Sequence, residues 1–219
     1  AKIITDHGFK FIGPKYEHIH KMANKIEAKS IAKKVGLPIL PGSSDNVLDY
    51  LEAKSIAESI GYPIIIKSTN GGGGRGIKVV LKEKELKNSF LLAKKEAELS
   101  FGSNQVYIEK YLSNPRHIEI QVLCDNQGNA VHLGERECSI QRRNQKIIEE
   151  CPSPAISDNE RKRICEITIK AMKKIGYFNI GTVEYLYSDG NFFFMEMNTR
   201  LQVEHTVTEE VYNIDIVKE

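Results

Sequence analysis

The stretch Ile64-Ile65-Ile66-Lys67-Ser68-Thr69-Asn70-Gly71-Gly72-Gly73-Gly74-Arg75-Gly76-Ile77-Lys78-Val79-Val80-Leu81 decides the fold. Its two apolar ends read as strands, the first a buried isoleucine run and the second rich in β-branched residues. The glycines therefore join strand to strand. Gly71, Gly73 and Gly76 satisfy G-x-G-x-x-G, but a dinucleotide site needs a helix directly behind the glycines so that its N-terminus meets the pyrophosphate. The P-loop pattern fails as well, because Ile77-Lys78 stands where Lys-Ser/Thr is required. What remains is a glycine-rich hairpin loop whose N–H groups can fold over phosphates, with Lys67 just ahead of it as a point charge. Taken alone, such a run reads equally well as a plain surface loop.

Outward from the loop, helical spacing of Ile19, Met22, Ile26 and Val35 predicts a helix over His18 to Val35, closed by Gly36 and Pro38. A linker at Leu37 to Ser44 and a helix over Val47 to Ile60 follow, the latter ended by Gly61. Beyond the loop, Leu86, Phe90, Ala93 and Ala97 mark a helix from Glu83 to Leu99. Val106 to Leu112 reads as a strand that stops before Pro115. His117 to Cys124 and Ala130 to Arg136 flank a turn-rich segment and read as a hairpin. Ser157-x-x-Glu160 is a capping box opening a helix to Gly176. Thr182 to Leu186 and Phe192 to Glu196 read as a last hairpin through Ser188-Asp189-Gly190. Strands joined mainly by hairpins, with helices between the groups, argue for α+β rather than a doubly wound parallel sheet.

Glu184 and Glu196 interrupt otherwise hydrophobic strands. A three-residue loop, Asp189-Gly190-Asn191, would set them directly opposite one another on one face. A two-residue Asp189-Gly190 loop would put them on opposite faces. Opposed like charges destabilise a sheet, and a divalent cation with oxygen ligands reverses that sign. From Glu196 onward every second residue is polar: Glu196, Asn198, Arg200, Gln202, Glu204. In an extended segment these side chains share a face. Acids and an amide suit a metal, Arg200 and Gln202 suit a small planar anion, and Glu204 is placed to take its proton. Gln141-Arg142-Arg143-Asn144-Gln145-Lys146 reads as a solvated loop with three positive charges, in which Lys146 is a candidate anion ligand on composition alone.

Across 219 residues, 31 Lys+Arg balance 29 Asp+Glu to a net charge of +2, which argues against nucleic acid as a partner. No apolar run approaches the roughly 20 residues of a membrane span, and no leader pattern opens the chain. The four cysteines lack C-x-x-C pairing and read as reduced thiols of a cytoplasmic protein. The first residue is not Met, and the segment from Asn213 to Glu219 has no helix terminator, so the chain is expected to be a piece of a longer one.

Five blocks carry a resemblance: Lys67 with Gly71 to Gly76, Glu109 to Leu112, Asn114 to Gln121, Glu135 to Arg143, and Glu196 to His205. Together they resemble the ATP-grasp portion of biotin carboxylase, the first catalytic component of biotin-dependent carboxylases such as acetyl-CoA, propionyl-CoA and pyruvate carboxylase. The resemblance implies an α+β ATP-grasp fold, with antiparallel sheets and a small mobile lid. Residues 1–38 would end an N-terminal domain, 39–112 form the lid, and 113–219 form a catalytic sheet truncated at its C-terminus. It implies ATP-dependent carboxylation of biotin on a carrier protein or domain, with bicarbonate activated as carboxyphosphate. A carboxyltransferase component would be a partner, the full-length form would be a homodimer, and the setting would be fatty acid biosynthesis.

Carried over by residue, the resemblance implies that Lys25 and Lys67 contact ATP phosphates, and that Gly71, Gly72, Gly73, Gly74 and Gly76 with Ile77 close over the nucleotide. Glu109, Lys110, Tyr111 and Leu112 would form the hinge reading adenine, with His117, Gln141 and Asn144 nearby. Glu184, Glu196 and Asn198 would hold Mg²⁺ or Mn²⁺. Lys146, Arg200, Gln202 and Val203 would bind bicarbonate, with Glu204 its base, and Arg200 would also stabilise the biotin enolate. Asn144 replaces the family's usual His, Thr206 the usual Pro, and Asn70 a glycine. A biotin-contacting Arg of the family lies beyond Glu219. Alternatives are another ATP-grasp ligase, such as carbamoyl-phosphate synthase, and a nucleotide-binding module inactive on its own.

Overall fold

A computed structural model describes residues 1–70 and 76–219, so the expected contacts of Gly71, Gly72, Gly73 and Gly74 lie outside the described residues. The elements run α1 (Lys2–Asp6), α2 (Tyr16–Ala23), α3 (Lys25–Val35), α4 (Tyr50–Ile60), β1 (Ile64–Ser68), β2 (Ile77–Val80), α5 (Glu83–Phe101) and β3 (Val106–Lys110). They continue with β4 (Arg116–Cys124), β5 (Ala130–Arg142), β6 (Gln145–Glu150), α6 (Asp158–Ile175), β7 (Asn179–Ser188), β8 (Asn191–Asn198) and α7 (His205–Tyr212).

The isoleucine run becomes the central strand of a three-stranded antiparallel sheet, β2-β1-β3. Period two sends Ile64 and Ile66 into an apolar layer with Ala53, Ala57, Leu86 and Phe90 of α4 and α5. Lys67 consequently projects from the other face. The larger antiparallel sheet has the order β6-β5-β4-β7-β8. Ile118, Ile120, Val122, Val183, Tyr185, Phe192, Phe194 and Met197 bury one face beneath Ile164, Met172 and Ala28 of α6 and α3. Its other face carries the charged residues considered below.

Four expectations are corrected. The helix predicted over 18–35 breaks at Asn24, whose side chain accepts from the N–H groups of Ile26 and Glu27, both at 3.0 Å. Local side-chain bonding wins over helix continuation, as it commonly does for Asn, and makes Lys25 the first residue of α3. The segment 141–146 is a hairpin rather than a loop. β5 runs to Arg142 and β6 begins at Gln145, joined by Arg143 and Asn144 at φ 53° and 61°, the two-residue turn that suits strand twist. The helix expected from Val47 starts at Tyr50, because Asp49 accepts from Glu52 N as its cap. The polar alternation is extended only to Asn198, and Glu204 is already the N-cap of α7.

Neither register for the last hairpin holds alone. Ser188 pairs with Asn191, the two-residue loop, yet Glu184 pairs with Glu196, because the register shifts between Tyr185 and Glu184. Met195 is the extra residue of a β-bulge. Without it Glu196 would enter the apolar layer that now holds Phe194 and Met197, and burying an unpaired carboxylate there costs far more than a local kink. Asn24→Ala should lower folding stability by about 1 kcal/mol, since two N–H groups lose their acceptor; urea unfolding of the two proteins checks this.

Candidate active site

A single row of charges crosses the larger sheet on its polar face. Arg136 pairs with Glu119, Glu119 with Glu184, and Glu184 with Glu196, across β5, β4, β7 and β8. Arg136 and Glu119 are fully buried, and Glu184 is 3% exposed. Glu119 and Glu184, adjacent and out of water, repel one another strongly. Two cations and the His117 ring offset this. Arg136 Nε donates to Glu119 Oε1 at 2.7 Å. His117 Nε2 lies 3.1 Å from Glu184 Oε2. Lys146, reaching over from β6, donates to Glu119 Oε2 at 2.5 Å, Glu184 Oε1 at 2.8 Å and Glu204 Oε1 at 2.7 Å.

These contacts set the protonation states. Burial pushes the Glu184 carboxyl up, but His117 and Lys146 outweigh it and hold the group at about 2. Burial works against the Lys146 ammonium, yet Glu119 and Glu184 raise it well above its ordinary value. Glu204 is likewise held low, against burial, by Lys146 and its own helix N-terminus.

The opposite wall comes from the smaller sheet and α3. Glu109, 4% exposed, accepts from Lys29 at 2.6 Å and from Lys67 at 2.7 Å, fixing the Lys67 stem. Lys25 stands 4.0 Å from Glu196, and burial depresses its pKa. Between the walls lies a cavity of about 870 Å³. Lys25, Lys67, Ile77, His117, Gln141, Asn144, Lys146, Glu184, Glu196, Asn198, Arg200, Gln202, Val203 and Glu204 all line it. Glu109, Lys110, Tyr111 and Leu112 do not. The Glu109 side chain serves the lysines, and Lys110 Nζ bonds the carbonyls of Gly61 and Tyr62, both at 3.0 Å. Gly76 is not among the lining residues either, and a Cβ there would fall 3.0 Å from Ser68 Cβ.

Sequence reasoning passed over Glu119 and the lining residues Tyr107, Leu186 and Met195. For Glu119 the signal was present: His117-Ile118-Glu119-Ile120-Gln121 alternates with the same period that exposed the polar residues near Glu196.

The donor set fits a divalent cation. Glu184 and Glu196 face each other as like charges, and Asn198 donates through Nδ2 to Glu184 at 2.8 Å, which leaves its amide oxygen as the remaining ligand atom. Gln202 Oε1, buried and without a partner among the described residues, is an acceptor awaiting a donor.

Residues 24–219 match the family described as "Carbamoyl-phosphate synthase L chain, ATP binding domain". The chain belongs to this family. Within it, the chain is similar to the ATP-grasp portion of biotin carboxylase. It is 51% identical to the biotin carboxylase of Allochromatium vinosum over 220 residues, covering 100% of this chain and 49% of that one. It is 50% identical to the pyruvate carboxylase of Staphylococcus aureus over 218 residues, covering 100% of this chain and 19% of the relative. It superposes with a TM-score of 0.94, at 46% identity, on the biotin carboxylase domain dimer of Hydrogenobacter thermophilus 2-oxoglutarate carboxylase, covering 100% of this chain and 48% of that chain. The chain thus spans about half the length of those biotin carboxylase relatives. Its fold is the α+β ATP-grasp fold implied by the sequence resemblance.

In this ATP-binding domain Lys146 is the cation on which three carboxylates depend. Lys146→Met should destabilise folding by about 3–5 kcal/mol at pH 7, the cost of stranding buried charge. The sign with pH follows from Glu184, whose value falls from 4.5 to about 2 on folding. Its stabilisation is complete above 4.5 and is lost as pH falls through about 2. The variant lacks much of that depression, so its deficit should hold down to pH 4.5 and shrink as pH falls from there toward about 2, which urea unfolding at pH 7 and at about pH 3 measures.

Proposed function

We propose that the natural protein carrying this chain carboxylates biotin on a carrier protein or domain, using ATP and bicarbonate through carboxyphosphate, and so acts as an ATP-dependent carbon–nitrogen ligase. The observation that carries the reading is the convergence of Lys146, Gln202 and Glu204 beside the Glu184–Glu196 pair at one end of a lysine-walled cavity. The Hydrogenobacter thermophilus relative was crystallised with MgADP, ADP and bicarbonate, a ligand set that suits these residues.

In this reading Lys25 and Lys67 bind the nucleotide phosphates, and Gly71 to Gly74 and Gly76 with Ile77 serve to close over the nucleotide. The backbone of Glu109 to Leu112 borders the adenine, with His117, Gln141 and Asn144 alongside. Glu184, Glu196 and Asn198 hold Mg²⁺ or Mn²⁺, which neutralises phosphate charge when bound. Lys146, Arg200, Gln202 and the Val203 backbone orient bicarbonate. Glu204 accepts its proton, an oxygen of the resulting dianion attacks the γ-phosphorus, and ADP leaves, forming carboxyphosphate. Lys146 neutralises the charge that accumulates, and Arg200, exposed at the cavity mouth, meets the carboxylated intermediate and the biotin enolate. We divide the chain as residues 1–38, 39–112 and 113–219, the middle segment acting as the lid. A carboxyltransferase partner and a homodimer accompany the full-length form. Among the described residues no helix is long and apolar enough to cross a membrane, and the four cysteines are unpaired, which supports a cytoplasmic setting.

Glu204→Gln in the natural full-length polypeptide should abolish biotin- and bicarbonate-dependent ADP release, with a loss of at least about 100-fold, while calorimetric Mg-ATP affinity stays unchanged. Retained turnover would sink the assignment. The family's carbamoyl-phosphate synthase branch also activates bicarbonate, so ADP release driven by ammonia without biotin would move the reading there.

A further inference from the structure

Arg136 is fully buried in β5 and takes no direct part in the proposed reaction. Its guanidinium donates to Glu119 Oε1 at 2.7 Å, Gln121 Oε1 at 2.7 Å, Thr208 Oγ1 at 2.8 Å and Thr182 Oγ1 at 3.4 Å. Glu119 and Gln121 lie on the neighbouring strand β4 and Thr182 on β7 beyond it, whereas Thr208 belongs to α7. Two residues earlier on β5, Gly134 at φ +64° lies so close to Tyr212 that a Cβ there would fall 2.1 Å from the tyrosine hydroxyl. Glu204, Thr208 and Tyr212 follow one another at intervals of one helical turn on a single face of α7. That face makes three contacts in register: Tyr212 on Gly134, Thr208 on Arg136, and Glu204 on Lys146.

We infer that Arg136 and Thr208 form a positioning latch, which sets the reach of the Glu204 carboxylate into the cavity by fixing the roll and height of α7 on β5. The inference rests on the reading of Glu204 as proton acceptor. A planar guanidinium bonded in several directions at once resists the small slides that apolar packing permits. Arg136 also holds Glu119, which holds Lys146, so one residue places both members of the Glu204–Lys146 pair.

The test is Thr208→Val, close to isosteric but without the hydroxyl, alongside Thr208→Ala, in the full-length enzyme. Turnover at saturating ATP should fall by about 10- to 100-fold, the effect of a side chain misplaced by about 1 Å, with the KM for ATP unchanged. The acid limb of the kcat–pH profile should move to higher pH. Glu204 faces Lys146 from β6, with Glu119, Glu184 and Arg136 behind it, and a looser Lys146 contact lets its pKa rise. Thr208→Ser, which keeps the hydroxyl, should restore both rate and profile. Wild-type kcat and an unmoved profile in either folded variant overturn the latch, whatever happens to the melting temperature. Loss of cooperative melting in both variants also overturns it, because it assigns the hydroxyl to stability alone. Glu204→Gln run in parallel separates the two readings. If it stays active the base assignment fails, and if it is dead beside a wild-type Thr208→Val only the latch fails.

Discussion

One ammonium group shared among three carboxylates organises this protein. Glu119 and Glu184 are neighbours on adjacent strands at 3% exposure or less, and Glu204 joins them from a helix terminus. In a dry environment such a group repels itself by several kcal/mol unless a cation lies within hydrogen-bonding reach. Lys146 is that cation, and it comes from the edge strand β6, two strands from Glu119. For it to arrive there, β5 and β6 must turn tightly at Arg143-Asn144, and α7 must present Glu204 at its N-cap. Arg136 and His117 share the burden on the flanks. The sheet face is thereby built for ions, whereas the reverse face is built for packing.

The second wall follows the same rule with opposite signs. Glu109 lies between Lys29 and Lys67, so a buried carboxylate holds Lys67 at the cavity edge. Its own carboxyl stays below the usual range, because the two ammonium groups outweigh the burial that would raise it. Among the described residues Lys25 has only a distant partner, Glu196 at 4.0 Å, and it is less buried than Lys67 on the same wall. A site with cations on one wall and acids on the other suits a metal-bound polyphosphate: each wall meets the part of the ligand that carries the opposite charge.

Much of this was legible because period-two and capping signals are local. The strands of both hairpins, the Ser157 capping box and the α+β class follow from spacing alone, and the capping box forms with both reciprocal bonds. The polar alternation from Glu196 picked out five residues that all line the cavity, for an incomplete reason. Only Glu196 and Asn198 lie on a strand; Arg200 and Gln202 follow in irregular chain, and Glu204 is brought back by a helix cap. The edge strand β6 left no alternating apolar trace: Ile147 and Ile148 are adjacent and both exposed, because neither face of the strand is covered enough to require one. The bulge at Met195 did leave a trace, in the change of parity from Phe192 and Phe194 to Met197, which is visible only once both strands are known to share one core.

The sequence by itself determined the β4–β5 and β7–β8 hairpins, the Ser157 capping box, and which chemical groups are available to bind a metal, an anion and a nucleotide, since these depend on neighbours a few positions apart. Tertiary structure alone decided which groups share a charge. Glu119 and Lys146 are 27 positions apart, and Glu204 lies 58 beyond Lys146. Whether their charges cancel or repel depends on distances of a few ångström, which only the packed sheet and the docked helix impose.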